Sequence, residues 1–169
     1  MKGWIKDIAI ACIIAFAIMQ FIKPTIVKES SMLPTLTPNN YIFLSKQAYT
    51  FGSPSRGDII VFHTSLTTED GKEKLLIKRV IGLPGDVITV AEGLVYVNDE
   101  LLDEPYLMES GTPGFVDQLT VPEDQLFVMG DNRRVSIDSR TDSIGFVPVK
   151  EVVGKAFFRL YPFDELSRL

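Results

Sequence analysis

A serine at position 31 stands in the run Glu29-Ser30-Ser31-Met32-Leu33-Pro34-Thr35-Leu36, directly behind the one long apolar segment of the chain. Its type and its place beside a proline turn make it a candidate nucleophile, and a serine hydroxyl attacks a carbonyl only when a neighbour takes its proton. The usual base is histidine, and the chain has one, His63. It ends an apolar segment and precedes the polar Thr64-Ser65, a setting that reads as surface. One histidine and one cysteine build no metal site, and no carboxylate cluster has ligand spacing. No metal or cofactor is implied.

Lys78 is the better candidate base. It lies within Leu75-Leu76-Ile77-Lys78-Arg79-Val80-Ile81, among apolar side chains. Burial disfavours the ammonium, and a neutral lysine can accept a proton. Periodicity does not say which of Lys78 and Arg79 faces inward, and either can instead face solvent on an edge strand. A third polar stretch, Gly130 to Arg140, follows the apolar Leu126 to Met129. There Asp138 and Arg140 can pair and hold a loop in one geometry, and Ser136 can orient a lysine amine.

These groups need elements to position them. The uncharged run Ile8 to Ile22 falls short of the ~20 residues of a spanning helix, but Trp4 and Ile5 extend it and Lys6 can snorkel. Lys23-Pro24-Thr25-Ile26-Val27 is a poor cleavage site for a removed leader. The run is apolar all round, unlike an amphipathic core helix. It therefore reads as an uncleaved membrane anchor over residues 1–24. Lys2 and Lys6 precede it, Lys23 and Lys28 follow it, and the positive-inside rule barely discriminates.

Residues 25–169 read as one β-rich domain. Strands are expected at Thr25–Val27, Tyr41–Leu44, Ile59–Phe62, Leu75–Ile81, Val87–Val90, Leu94–Val97, Leu101–Leu102, Leu126–Met129 and Val152–Leu160. Turn clusters separate them, with a hairpin tip at Asp70-Gly71-Lys72. None of these runs has an interior proline, and Pro148 argues against extending the last strand backwards. The fold class is mainly β, an antiparallel barrel or coiled sheet system behind one transmembrane helix. A net charge of −5 and a pI near 4.9, with no basic run, argue against a nucleic-acid surface. The single cysteine, Cys12, can form no disulfide within the chain and reads as a small apolar residue facing lipid.

Four segments then resemble, in order, the motif boxes of bacterial type I signal peptidases. They are Ser31 to Leu36, Arg56 to Phe62, Ile77 to Asp86, and Gly130 to Arg133 continuing through Ser136 to Arg140. The resemblance implies Ser31 as nucleophile and Lys78 as general base. It implies that Ser136 helps position the Lys78 amine, that Asp138 and Arg140 form a supporting ion pair, and that Asp131 and Arg133 shape the same loop. Met32 and Pro34 would fix the nucleophile's turn beside the substrate. The short Arg79 to Gly130 interval implies the compact form typical of Gram-positive members. Implied partners are exported preproteins with signal peptides and the lipid bilayer, with the enzyme in the cell membrane, single-pass, its catalytic domain on the extracytoplasmic side.

Two positions depart from the family pattern. Glu29 stands where many relatives have a glycine or serine two places before the nucleophile. An ionised carboxylate cannot donate, so the oxyanion would rest on the Ser31 backbone N–H, with the Ser30 hydroxyl or a water as further donors. Arg134-Val135 replaces a frequent Asp-Asn. A self-cleaving repressor peptidase would need a DNA-binding N-terminal domain and an Ala-Gly cleavage site, and the chain has no Ala-Gly. A non-catalytic anchored β module that binds exported chains is the alternative of another class.

Overall fold

The computed structural model describes residues 3–169; Met1 and Lys2, including the flanking charge of Lys2, lie outside the described residues. Helix α1 runs Gly3–Phe21. No glycine or proline interrupts it after Gly3, and at about 1.5 Å per residue it is roughly 28 Å long, close to the hydrocarbon thickness of a bilayer. Trp4–Phe21 is exposed all round, as an apolar helix without a protein partner must be. Lys46 holds its C-terminal end: its backbone N–H donates to Phe21 O at 2.9 Å and its Nζ to Met19 O at 3.4 Å. These two bonds satisfy carbonyls that a helix end otherwise leaves open.

The strands follow as β1 Ile22–Ile26, β2 Tyr41–Ser45, β3 Ile59–Thr67, β4 Glu73–Gly82, β5 Val87–Ala91, β6 Leu94–Val97, β7 Glu100–Leu101, β8 Val116–Thr120, β9 Gln125–Met129, β10 Val147–Pro148, β11 Val152–Tyr161 and β12 Ser167–Arg168. The larger sheet has the order β1-β2-β11-β3-β4-β9-β10, with β12 on β11; the smaller has the order β7-β6-β5-β8. Every pairing is antiparallel. The expected coiled sheet system is what forms, as two open sheets. β11 bends through three register shifts and so serves β2, β3 and β12.

Several strands differ from expectation. β1 begins at Ile22 and contains Pro24, which is tolerated because β1 is the sheet's edge. Pro148 sits in β10, a two-residue edge strand on β9, so it does end the continuity with β11. β8 and β12 had no strand signal: β8 is largely exposed, so it lacks an apolar pattern, and β12 has two residues.

The middle of the larger sheet is buried on both faces. On β3, Ile59 and Val61 join Met32, Leu36, Ile42 and Leu44 in one cluster, while Ile60 and Phe62 join Leu76, Val80, Leu126 and Val128 in another. Successive strand residues point to opposite faces, so an unbroken run such as Ile59-Ile60-Val61-Phe62 suits a sheet covered twice. A third cluster, with Ile81, Ile88, Val95, Phe127 and Met129, joins the two sheets where β4 and β9 meet β5.

Candidate active site

The turn that carries Ser31 is anchored from below. Met32 and Leu36 are fully buried in the core, and Leu36 N–H donates to Met32 O at 2.8 Å. Met32 is therefore a packing residue and Pro34 is exposed; neither lines the groove beside Ser31. Ser31 keeps 5% of its surface and Ser30 is exposed. Among the described residues no group accepts from the Ser31 N–H, which leaves that donor available.

Lys78 comes from the middle of β4, opposite Ile60 of β3. It keeps 1% of its surface, and its Nζ donates to Ser31 Oγ at 2.7 Å. It shares its face of β4 with Leu76 and Val80, both core residues. Burial among these side chains pushes the amine down from 10.5 to about 8. The carboxylates of Asp138, Glu29 and Asp131 oppose that shift, and the charge of Lys74 adds to it.

Arg79 faces the other way and is also buried. Its Nε and Nη2 clasp the Asp131 carboxylate at 2.8 and 2.6 Å, and its Nη1 donates to Gly57 O at 2.9 Å. Thr35 Oγ1 donates to Asp131 at 2.5 Å, tying the serine turn to the same carboxylate. The guanidinium lies 4.0 Å from the centre of the Tyr106 ring. The sequence treats Lys78 and Arg79 as rivals for one inward position; both are inward, on opposite faces. Thr35, Tyr106 and Glu104 are partners that sequence reasoning missed, and nothing in their local patterns marks them.

The loop after β9 closes the site. Asp138 and Arg140 form the expected pair, in two bonds of 2.8 and 2.9 Å, and Asp138 accepts from Gly130 N–H at 3.1 Å. Arg133 donates to Gly130 O at 3.0 Å and is paired with Glu104, with Thr112 at 2.6 Å. Asn132 N–H donates to Ser31 O at 3.0 Å, binding this loop directly to the serine turn. A Cβ on Gly130 would overlap Ser136 Oγ and stand 2.5 Å from Ser31 O, so only glycine fits. Ser136 Oγ is buried and makes no hydrogen bond among the described residues. No hydrogen bond joins Ser136 to the Lys78 amine; the hydroxyl packs against Gly130 instead.

A groove of about 440 Å³ opens on Ser31, walled by Glu29, Ser30, Lys74, Leu66, Leu76, Val135 and Ile137. Val135 and Ile137 are more than half exposed. Glu29 pairs with Lys74 at 2.5 Å. His63 lies apart, exposed, its Nδ1 2.7 Å from Glu73 Oε2. The described residues contain no cluster of three His, Cys, Asp or Glu able to hold a metal.

The chain as a whole is similar to known proteins. Residues 1–161 match the family described as "Signal peptidase, peptidase S26". The chain is 38% identical over 167 residues to the "Probable signal peptidase I-2" of Synechocystis sp., covering 97% of this chain and 75% of that one. It is 37% identical over 177 residues to the "Signal peptidase I S" of Bacillus subtilis, covering 98% and 91%. Among solved structures, a signal peptidase I from Enterococcus faecalis V583 superposes with a TM-score of 0.50 at 35% identity, over 60% of this chain and 95% of that one.

Proposed function

The chain belongs to the signal peptidase family, peptidase S26, and from that premise we propose that it removes signal peptides from exported preproteins, with Ser31 as nucleophile and Lys78 as general base. The observation that carries this reading is the 2.7 Å contact between Lys78 Nζ and Ser31 Oγ, buried and remote from the one histidine.

With the amine near 8, about one molecule in ten holds a neutral Lys78 at pH 7. In that form the contact reverses: the Ser31 hydroxyl donates to Nζ. Lys78 takes the proton as Oγ attacks the scissile carbonyl, and gives it to the leaving amine. The oxyanion rests on the unengaged Ser31 N–H, with the exposed Ser30 hydroxyl within the same turn. Water then attacks the acyl-enzyme, its proton passing to Lys78, and Ser31 is released. The Asp138–Arg140 and Arg79–Asp131 pairs hold the loop and the strand against the serine turn, Arg133 fixes Gly130, and Met32 anchors the turn in the core. Ser136 packs behind Gly130 at the dyad's back.

The substrate lies extended in the groove beside Ser31, adding main-chain hydrogen bonds. Helix α1 crosses the bilayer once as the anchor, and the peptidase domain outside the cytoplasm begins at β1, with Ile22 in place of the expected Thr25, because residues 22–24 already pair with β2. Tethering concentrates the enzyme on membrane-bound substrate. The test uses the full-length protein in detergent or lipid with a model preprotein. Ser31→Ala and Lys78→Ala are expected to fold and to cut nothing; cleavage by either variant overturns the assignment. A serine-reactive acylating inhibitor should label the wild type and spare Ser31→Ala, and failure to label would favour a binding module.

A further inference from the structure

Two segments meet at the dyad, the serine turn and strand β4, and they touch twice. Ser31 meets Lys78, and two residues before Ser31 the carboxylate of Glu29 meets Lys74, four residues before Lys78. Lys74, Leu76 and Lys78 alternate onto one face of β4, so both contacts lie on the same side of the strand. Glu29 and Lys74 also wall the groove that opens on Ser31. We propose that the Glu29–Lys74 ion pair is a positioning device, a second rung that holds the serine turn in register on the strand that bears the base. The inference rests on the dyad reading above.

A half-exposed pair of this kind contributes little to global stability. Its effect falls on the short span between two anchors. Before it Val27 is buried, its N–H donating to Asn40 O at 2.9 Å and its carbonyl accepting from Asn39 N–H at 2.8 Å. After it stand Met32 in the core and the bonds from Asn132 to Ser30 O and Ser31 O. Between them Lys28 and Ser30 are exposed, and Glu29 is the residue there whose side chain reaches β4. The pair also sets the field at the amine. The charged groups that act on Lys78 are Lys74 from its own strand, Glu29 from the serine turn, and Asp138 and Asp131 from the loop after β9. Glu29 holds the amine's proton more tightly and Lys74 loosens it, so removing one partner moves the amine in one direction and removing the other moves it back. A glycine or a hydroxyl at position 29 would supply neither the rung nor the charge.

The experiment compares kcat and kcat/KM for a model preprotein against pH, with the full-length protein in detergent. Wild type, Glu29→Gln, Lys74→Met and the swap Glu29→Lys with Lys74→Glu are measured at low and at 1 M salt. Glu29→Gln is expected to move the acid limb of kcat/KM to lower pH by about half a unit, and Lys74→Met to move it to higher pH by a similar amount. Both singles should lose severalfold in kcat with KM little changed, and the swap should recover most of that loss. High salt should shrink the pH displacements. Melting temperatures should stay level, which separates a positioning effect from loss of fold. Single variants with the wild-type limb and kcat within twofold of wild type overturn the inference, as does a swap no better than the singles. Inactivity of the wild type itself would instead overturn the dyad reading.

Discussion

Two buried cations stand side by side on β4, and their surroundings differ in one respect. Arg79 meets a carboxylate in a two-bond clasp, a carbonyl and an aromatic face. Lys78 meets a neutral hydroxyl, with its nearest carboxylates acting only from a distance. The first environment compensates a buried charge and keeps it. The second leaves the charge poorly compensated and makes the neutral amine accessible near physiological pH. A structural cation and a base are thus made from adjacent residues by what each face of one strand presents.

The comparison can be broken most severely at Lys78. Lys78→Met should lower cleavage by at least ~10³-fold, the scale seen when the proton acceptor of a serine peptidase is lost. The same protein should be no less stable at pH 7 in a denaturant titration. Asp131→Asn should do the reverse. It strips Arg79 of its charge partner and should cost about 3–5 kcal/mol of stability by the same titration. Loss of activity should follow only as the turn loosens.

Gly130→Ala tests the wall between the two sides. Its Cβ has no room against Ser136 and the Ser31 carbonyl, so the serine must shift. We expect kcat/KM to fall by on the order of 10–100-fold in steady-state assays, since small displacements of a nucleophile are costly.

The pH dependence sharpens the contrast further. The acylation rate should rise about tenfold per unit below the amine's value of about 8 and level off above it. Stability carries the matching sign. Between about 8 and 10.5 the unfolded chain binds a proton at Lys78 that the folded chain does not, so stability rises with pH across that window. Lys78→Met should remove this part of the slope when the two proteins are titrated together. The smallest effect is expected at His63. Paired with Glu73 on the surface, it should tolerate substitution by alanine with activity within twofold and stability within ~0.5 kcal/mol.

The order of elements was legible because local signals carry it. A long apolar run without breakers is a helix, and short runs such as Ile59–Phe62 and Leu126–Met129 between turns are strands. Ser31 and Lys78 stood out because a serine beside a turn and a lysine among apolar residues are unusual in themselves. β8 and β12 were not legible, since an exposed strand and a two-residue strand owe their form to a neighbour's hydrogen bonds. The partners within the site were equally hidden. Lys78 and Ser31 are separated by 47 positions and Arg79 and Asp131 by 52, and no local pattern says which carboxylate a buried cation will meet.

By itself, then, the sequence determined an apolar N-terminal helix, an antiparallel β domain, and the residue types needed for serine chemistry without histidine. The tertiary structure decided that both cations of the pair are buried, that the amine meets the serine and the guanidinium meets Asp131, and that Glu29 reaches back to Lys74. Those choices follow from strand register and the packing of distant loops. Alternation along β4 separates neighbours onto opposite faces, but only the assembled sheets determine what waits on each.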